Sequence, residues 1–151
     1  MNNAAHAAHP LFIDTSAFFA RFNDQDDHHQ QATAVFDGIS SGNLAYRPLY
    51  TSGYVLSELA TLTLRKDTHA GAVEALHRVA DSPNITVLHP DATAFAAIRH
   101  EFGRYSDHQI SFVDQSSAVL AREHDITRIF AFDSDFATLG LTRVPVDTGG
   151  T

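Results

Sequence analysis

Short apolar runs alternate along this chain with segments of helical periodicity. Leu11-Phe12-Ile13 is a bulky apolar run closed by Asp14, the pattern of a strand buried in a parallel sheet. Residues 16–22 predict a short apolar helix. The polar run Asn23-Asp24-Gln25-Asp26-Asp27 can supply the N-cap of a helix over residues 28–40. In that helix Ala32, Val35, Phe36 and Ile39 recur at spacings of three and four, and Gly42 fits the position just past its end. Residues 44–46 predict a brief strand.

The stretch 49–66 predicts a central helix. Leu49, Val55, Leu56, Leu59, Ala60 and Leu62 share one arc, and Tyr54, Ser57, Glu58 and Thr61 the other. Residues 69–80 predict a further helix with Val73, Leu76 and Val79 inward, broken by Pro83 and Asn84. Ile85-Thr86-Val87-Leu88 reads as a strand, and Pro90 opens a helix to about Arg104. A helix over 111–124, a strand over 128–132, a helical turn at 136–139 and an edge strand at 144–146 complete the pattern. Strands alternating with helices predict an α/β fold, with a parallel sheet covered on both faces. No internal repeat or linker interrupts it. The expected organisation is a loose tail over 1–9 and one domain over 10–148.

Composition narrows the function classes. At 151 residues, with 44% apolar and 19% charged residues, the chain suits a single core-forming domain. No run is apolar enough to span a membrane, and the first residues lack the pattern of a signal peptide, so the expectation is a cytoplasmic protein without a membrane. Cysteine is absent, which excludes disulfides and thiolate metal sites. The formal net charge of −8 excludes wrapping nucleic acid by general electrostatics, so any such contact must be local.

Two apolar runs end in aspartate: Asp14, and Asp133 after Ile129-Phe130-Ala131-Phe132. Residues just past the carboxyl ends of strands line the ligand-binding rim of open α/β sheets. Clustered carboxylates there repel unless a cation sits among them, and a divalent ion with oxygen ligands is the usual one. Each acid also has a plainer reading. Asp14 fits a helix cap. Glu58 is the lone acid of an otherwise uncharged helix, which suggests a covered polar arc, yet it also fits an exposed surface. Ser111-Phe112-Val113-Asp114 reads as a capping box, a role compatible with a shared site. Asp133 and Asp135 could cap the following turn.

Other chemistries fit poorly. Phe132-Asp133-Ser134-Asp135 looks like a haloacid-dehalogenase phosphatase motif, but too little chain follows to supply the lysine and further acids. A receiver-type phospho-acceptor fails for the same lysine. The ten histidines form no His-Glu-x-x-His motif, and no Gly-x-Ser-x-Gly elbow is present.

Taken in order, Asp14-Thr15-Ser16, Val55-Leu56-Ser57-Glu58-Leu59, Ser111-Phe112-Val113-Asp114 and Phe132-Asp133-Ser134-Asp135-Phe136 resemble the PIN-domain ribonucleases, and within them the VapC-type toxins of toxin–antitoxin pairs. The resemblance covers about residues 10–147. It implies a three-layer α/β/α domain with a mainly parallel sheet of four to five strands. It also implies an acidic quartet of Asp14, Glu58, Asp114 and Asp133, supported by Ser16 and Asp135. One departure is Ala131, where the family usually carries Thr or Ser.

The implied activity is Mg2+- or Mn2+-dependent hydrolysis of RNA phosphodiesters. Asp14, Asp114 and Asp133 would hold metal, and Glu58 would hold a second ion or orient water. The implied partners are an RNA substrate, a cognate antitoxin and a second copy in a homodimer. Phe18, Phe19 and Phe22 either line an antitoxin groove or pack the core. Arg21, Arg47, Arg65 and Lys66 are the cations on segments near the site. Two other readings are a PIN-fold RNA-processing nuclease that is not a toxin, and a non-catalytic PIN-fold binding module.

Overall fold

The computed structural model describes residues 7–151. Most of the tail expected over 1–9 lies outside the described residues. The first strand, β1, spans His9–Ile13. It is followed by α1 (Thr15–Phe22), α2 (His29–Ser41), β2 (Tyr46–Ser52), α3 (Gly53–Lys66), α4 (His69–Ala80) and β3 (Ile85–Leu88). Then come α5 (Ala92–Arg104), α6 (Phe112–Glu123), β4 (Arg128–Phe130), α7 (Asp135–Thr138) and β5 (Thr142–Val144). The five strands form one all-parallel sheet in the order β3-β2-β1-β4-β5, flanked by helices in a three-layer α/β/α arrangement.

The strand order places the site. From β1 the chain steps outward to β2 and β3, then returns to lay β4 and β5 on the other side of β1. The carboxyl ends of β1 and β4 therefore flank the point where the winding reverses, where open α/β sheets hold ligands. Leu11, Phe12, Ile13, Ile129 and Phe130 are fully buried there. Phe18, Phe36 and Phe130 link α1, α2 and β4 through ring contacts of 6.0 and 4.8 Å.

Several boundaries depart from the sequence pattern, each for a physical reason. Leu49 to Ser52 belong to β2 and not to the central helix. They pair with β1 on one side and β3 on the other, which buries Thr51 and Ser52 completely. Ser52 then caps α3, its side chain accepting from the Val55 amide at 3.2 Å. The strand expected over 128–132 ends at Phe130, because the Phe132 amide turns away to Ser16 Oγ at 3.3 Å. β5 ends at Val144, since Pro145 has no amide to continue the ladder. The polar turn before α2 supplies no side-chain cap to the helix itself. His28 occupies the cap position, and Asp26 accepts from its amide at 2.8 Å. In α4 it is Ala72, Ala75 and Val79 that face inward, while Val73 is 40% exposed.

A carboxylate cluster at the sheet rim

Local structure fixes each acid. Asp14 follows β1 directly, its amide donating to Phe130 O at 3.0 Å, and it also caps α1. Its Oδ2 accepts from the Ser16 amide at 3.2 Å and from Ser16 Oγ at 2.8 Å. Its Oδ1 is buried and has no hydrogen-bond partner. One oxygen of the carboxylate caps the helix and the other is left without a partner. A buried carboxylate oxygen without a partner is costly, and a ligand at that point removes the cost.

Asp114 lies in the first turn of α6. The Ser111 hydroxyl accepts from its amide at 3.1 Å. The reciprocal bond of a capping box, from the Ser111 amide to the Asp114 carboxylate, is not made among the described residues. The carboxylate is left free for the cluster. Glu58, on the second turn of α3, is half-buried. Its neighbours Ser57 and Thr61 are exposed, so the polar arc of α3 is only partly covered, contrary to the sequence expectation. Asp133 follows β4, and its Oδ1 accepts from the Asp135 amide at 2.8 Å.

These side chains converge in two overlapping triads. Asp14, Glu58 and Asp114 each offer an oxygen within 4.8 Å of the others, and so do Asp114, Asp133 and Asp135. All four acids of the expected quartet therefore belong to one cluster pivoting on Asp114. Asp135, expected in a supporting place, lies in the second triad with Asp133 and Asp114.

The electrostatics record the crowding. Burial raises the Asp14 carboxyl from 3.8 to about 6, the Ser16 bonds oppose it, and the Glu58 charge adds to it. Burial raises Asp114 to about 8, and Asp14, Asp133, Glu58 and Asp135 push it further the same way. The Asp135 carboxyl is also raised, by desolvation and by Asp133, with His108 opposing. No cation of the chain neutralises the centre of this cluster among the described residues. A hard divalent ion suits an all-oxygen donor set of this kind, and the unpartnered Asp14 Oδ1 fits one of its ligand positions.

The other expected residues divide. Ser16 ties the two strand ends together: it donates to Asp14 and accepts from the Phe132 amide. Ala131, where a hydroxyl was expected, is fully buried, and its amide donates to Val144 O at 3.3 Å. Arg47 stands at the start of β2, roughly 17 Å along the strand from its carboxyl end, so it is removed from the site. Arg65 and Lys66 are exposed in the last turn of α3, and Arg21 is half-buried in the last turn of α1. Sequence reasoning missed His108, whose charge reaches Asp135. It also missed the ring contact of Tyr54 with Phe112 at 5.9 Å, which joins α3 to α6. Its signal was present in spacing: Tyr54 precedes Glu58 by one helical turn.

An all-parallel α/β/α sheet with a carboxylate cluster at its winding reversal offers an all-oxygen site that could hold a metal ion. The family model for the PIN domain matches residues 11–140, and the chain belongs to the PIN-domain family, one of nucleases. Among solved structures, it is similar to the Mycobacterium tuberculosis VapC20, a sarcin–ricin loop cleaving toxin. Identity is 30%, TM-score 0.78, and the match covers 87% of this chain and 95% of that one. It shares its fold with FitAcB from Neisseria gonorrhoeae, at 18% identity and TM-score 0.61, covering 88% and 95% of the two chains. It also shares its fold with VapBC2 from Rickettsia felis, solved with a DNA fragment from its promoter. There identity is 13% and TM-score 0.57, with 89% and 96% covered. A search of curated proteins finds no match. Among the described residues no helix is long and apolar enough to cross a membrane.

Proposed function

We propose that this chain is a Mg2+- or Mn2+-dependent endoribonuclease, the toxin of a toxin–antitoxin pair acting in the cytoplasm. The observation that carries the reading is the convergence of Asp14, Glu58 and Asp114 in one triad and of Asp114, Asp133 and Asp135 in a second, with one Asp14 oxygen buried and unpartnered. Asp14, Asp114 and Asp133 are the residues to hold the ion. When bound, a divalent ion supplies a water of lowered pKa and screens charge on the phosphoryl oxygens. Glu58 shares the first triad with Asp14 and Asp114, and its role in this reading is to hold a second ion or to orient the attacking water. Ser16 occupies Oδ2 of Asp14, which leaves Oδ1 as the oxygen to take a ligand.

The similarity to VapC20 makes a structured ribosomal RNA loop the first substrate to test. An antitoxin segment finds a groove between α1, α3 and α4, lined by Phe19, Phe22, Thr63, Ala75 and Arg78. Phe18 and Phe19 are also core residues, 1% and 7% exposed, so of the three Phe22 is the least buried. Arg78 already stacks over the Phe22 ring at 4.3 Å.

The test is cleavage of RNA by the purified protein with Mg2+ and with EDTA, beside Asp14→Asn. Cleavage only with Mg2+, lost in Asp14→Asn while the fold persists, is the expected result. Equal cleavage by the variant would remove the assignment. Growth arrest on expression, relieved by a small protein encoded beside it, separates a toxin from an RNA-processing nuclease.

A further inference from the structure

An exposed aromatic shelf stands on α5 and α6, and Tyr54 joins it to the helix that carries Glu58. The Phe112 ring, which opens α6 two residues ahead of Asp114, meets three others: Phe95 at 5.7 Å, Phe102 at 5.6 Å and Tyr54 at 5.9 Å. Tyr54 precedes Glu58 by one turn of α3, so the shelf and the site share two helices. Phe95 and Phe102 are 42% and 45% exposed, among the largest apolar exposures of the chain. They lie on one face of α5, and Arg99 lies between them on that face at spacings of four and three. Arg99 is exposed and makes no ion pair among the described residues. Ile98 is the one buried residue of α5, so the helix presents most of its surface outward.

We propose that this shelf stacks unpaired bases of an RNA strand whose phosphate enters the carboxylate cluster, with Arg99 on the strand's backbone. The inference rests on the nuclease reading and deepens it: it names the surface of this chain that takes the strand beside the cleaved phosphate. Aromatic faces bind any base by stacking, and they do so without the broad positive field that this acidic chain lacks. A fully paired duplex keeps its bases stacked on one another and offers the shelf none. The shelf takes only the first turn of α3 beside α5 and α6, which separates it from the groove of α1 and α4, lined on α3 by Thr63.

The experiment uses the full chain and a short single-stranded oligoribonucleotide carrying 2-aminopurine, with the same strand in a duplex as comparison. Binding is read by fluorescence with Ca2+ in place of Mg2+, so that a cation sits among the carboxylates; kinetics are then read with Mg2+. Phe95→Ala/Phe102→Ala is expected to weaken single-strand binding about tenfold per lost stack. KM should rise to match while kcat stays within about twofold. Phe95→Trp/Phe102→Trp should bind as well as wild type. Phe95→Leu/Phe102→Leu keeps the apolar packing on Phe112 and should lose affinity like the alanine pair. Wild-type affinity in the leucine pair overturns the shelf, as does equal wild-type affinity for single strand and duplex. So does unchanged RNA affinity with loss of a dimer in sedimentation, which would assign the face to a second copy. If wild type cuts no RNA at all, the nuclease reading fails separately. If wild type cuts and the alanine pair binds unchanged, only the shelf fails.

Discussion

Removing a charge from the cluster should stabilise the metal-free protein, and Asp14→Asn isolates the effect. Asn keeps an oxygen to accept from Ser16 and leaves the side-chain volume almost unchanged. The wild-type carboxyl is raised from 3.8 to about 6. A raised carboxyl holds its proton more tightly in the folded state, so its stabilising contribution is full below 3.8 and is lost as pH climbs through about 6. Above that range the rise corresponds to about 3 kcal/mol that wild type forfeits and the variant does not. For a chain of this size each kcal/mol moves Tm by roughly 2–4 °C, so the variant should melt about 6–12 °C higher at pH 7.5 in EDTA. Near pH 4 the two should melt together. With Mg2+ at about a hundredfold over Kd, wild type recovers roughly 2.7 kcal/mol and the gap closes. Thermal melts across this grid of pH and metal are the assay. A variant that is less stable at every pH, or equally stabilised at pH 4 and 7.5, would refute the electrostatic account of the site.

Further expectations follow from the same geometry. With Asp114 raised to about 8 and Asp14 to about 6, binding a divalent ion near pH 7 should expel protons, and affinity should rise from pH 6 to pH 8. Calorimetry in buffers of different ionisation enthalpy measures both. Ser16→Ala severs the bonds to Asp14 and to the Phe132 amide. It should lower metal affinity or activity about 10–100-fold while costing stability only about 1–2 kcal/mol, by melts beside cleavage rates. Phe130→Ala opens a cavity under the rim between β1 and α2 and should cost about 3–5 kcal/mol in urea unfolding.

The chain announces some of this and conceals the rest for reasons that can be named. α4 and β3 are legible to the residue, because Thr68 caps one and Pro83 and Asn84 separate them. The boundary of β2 and α3 is not, because Leu49 has helix-compatible spacing with Val55 and Leu56. What decides it is pairing with β1 and β3, a contact no local window contains. Val73 points outward because the small residues Ala72 and Ala75 let α4 approach its neighbours closely on the other side. At the site, the carboxylates were visible as an ordered set. Their division into two triads sharing Asp114 was not, since it depends on how α3, α6 and the β4 end meet in space. His108 and the shelf of Phe95, Phe102 and Phe112 escaped for the same reason: each belongs to a loop or helix face whose partner lies on another element.

The central claim is that these carboxylates hold a divalent ion, and Mn2+ located by anomalous scattering in crystals of the protein tests it most directly. The account predicts a peak between Asp14 Oδ1 and the Asp114 carboxylate at coordination distance, lost in Asp14→Asn. A saturating soak that leaves this point empty, or places its ion at the Asp26–His28 pair instead, would contradict it.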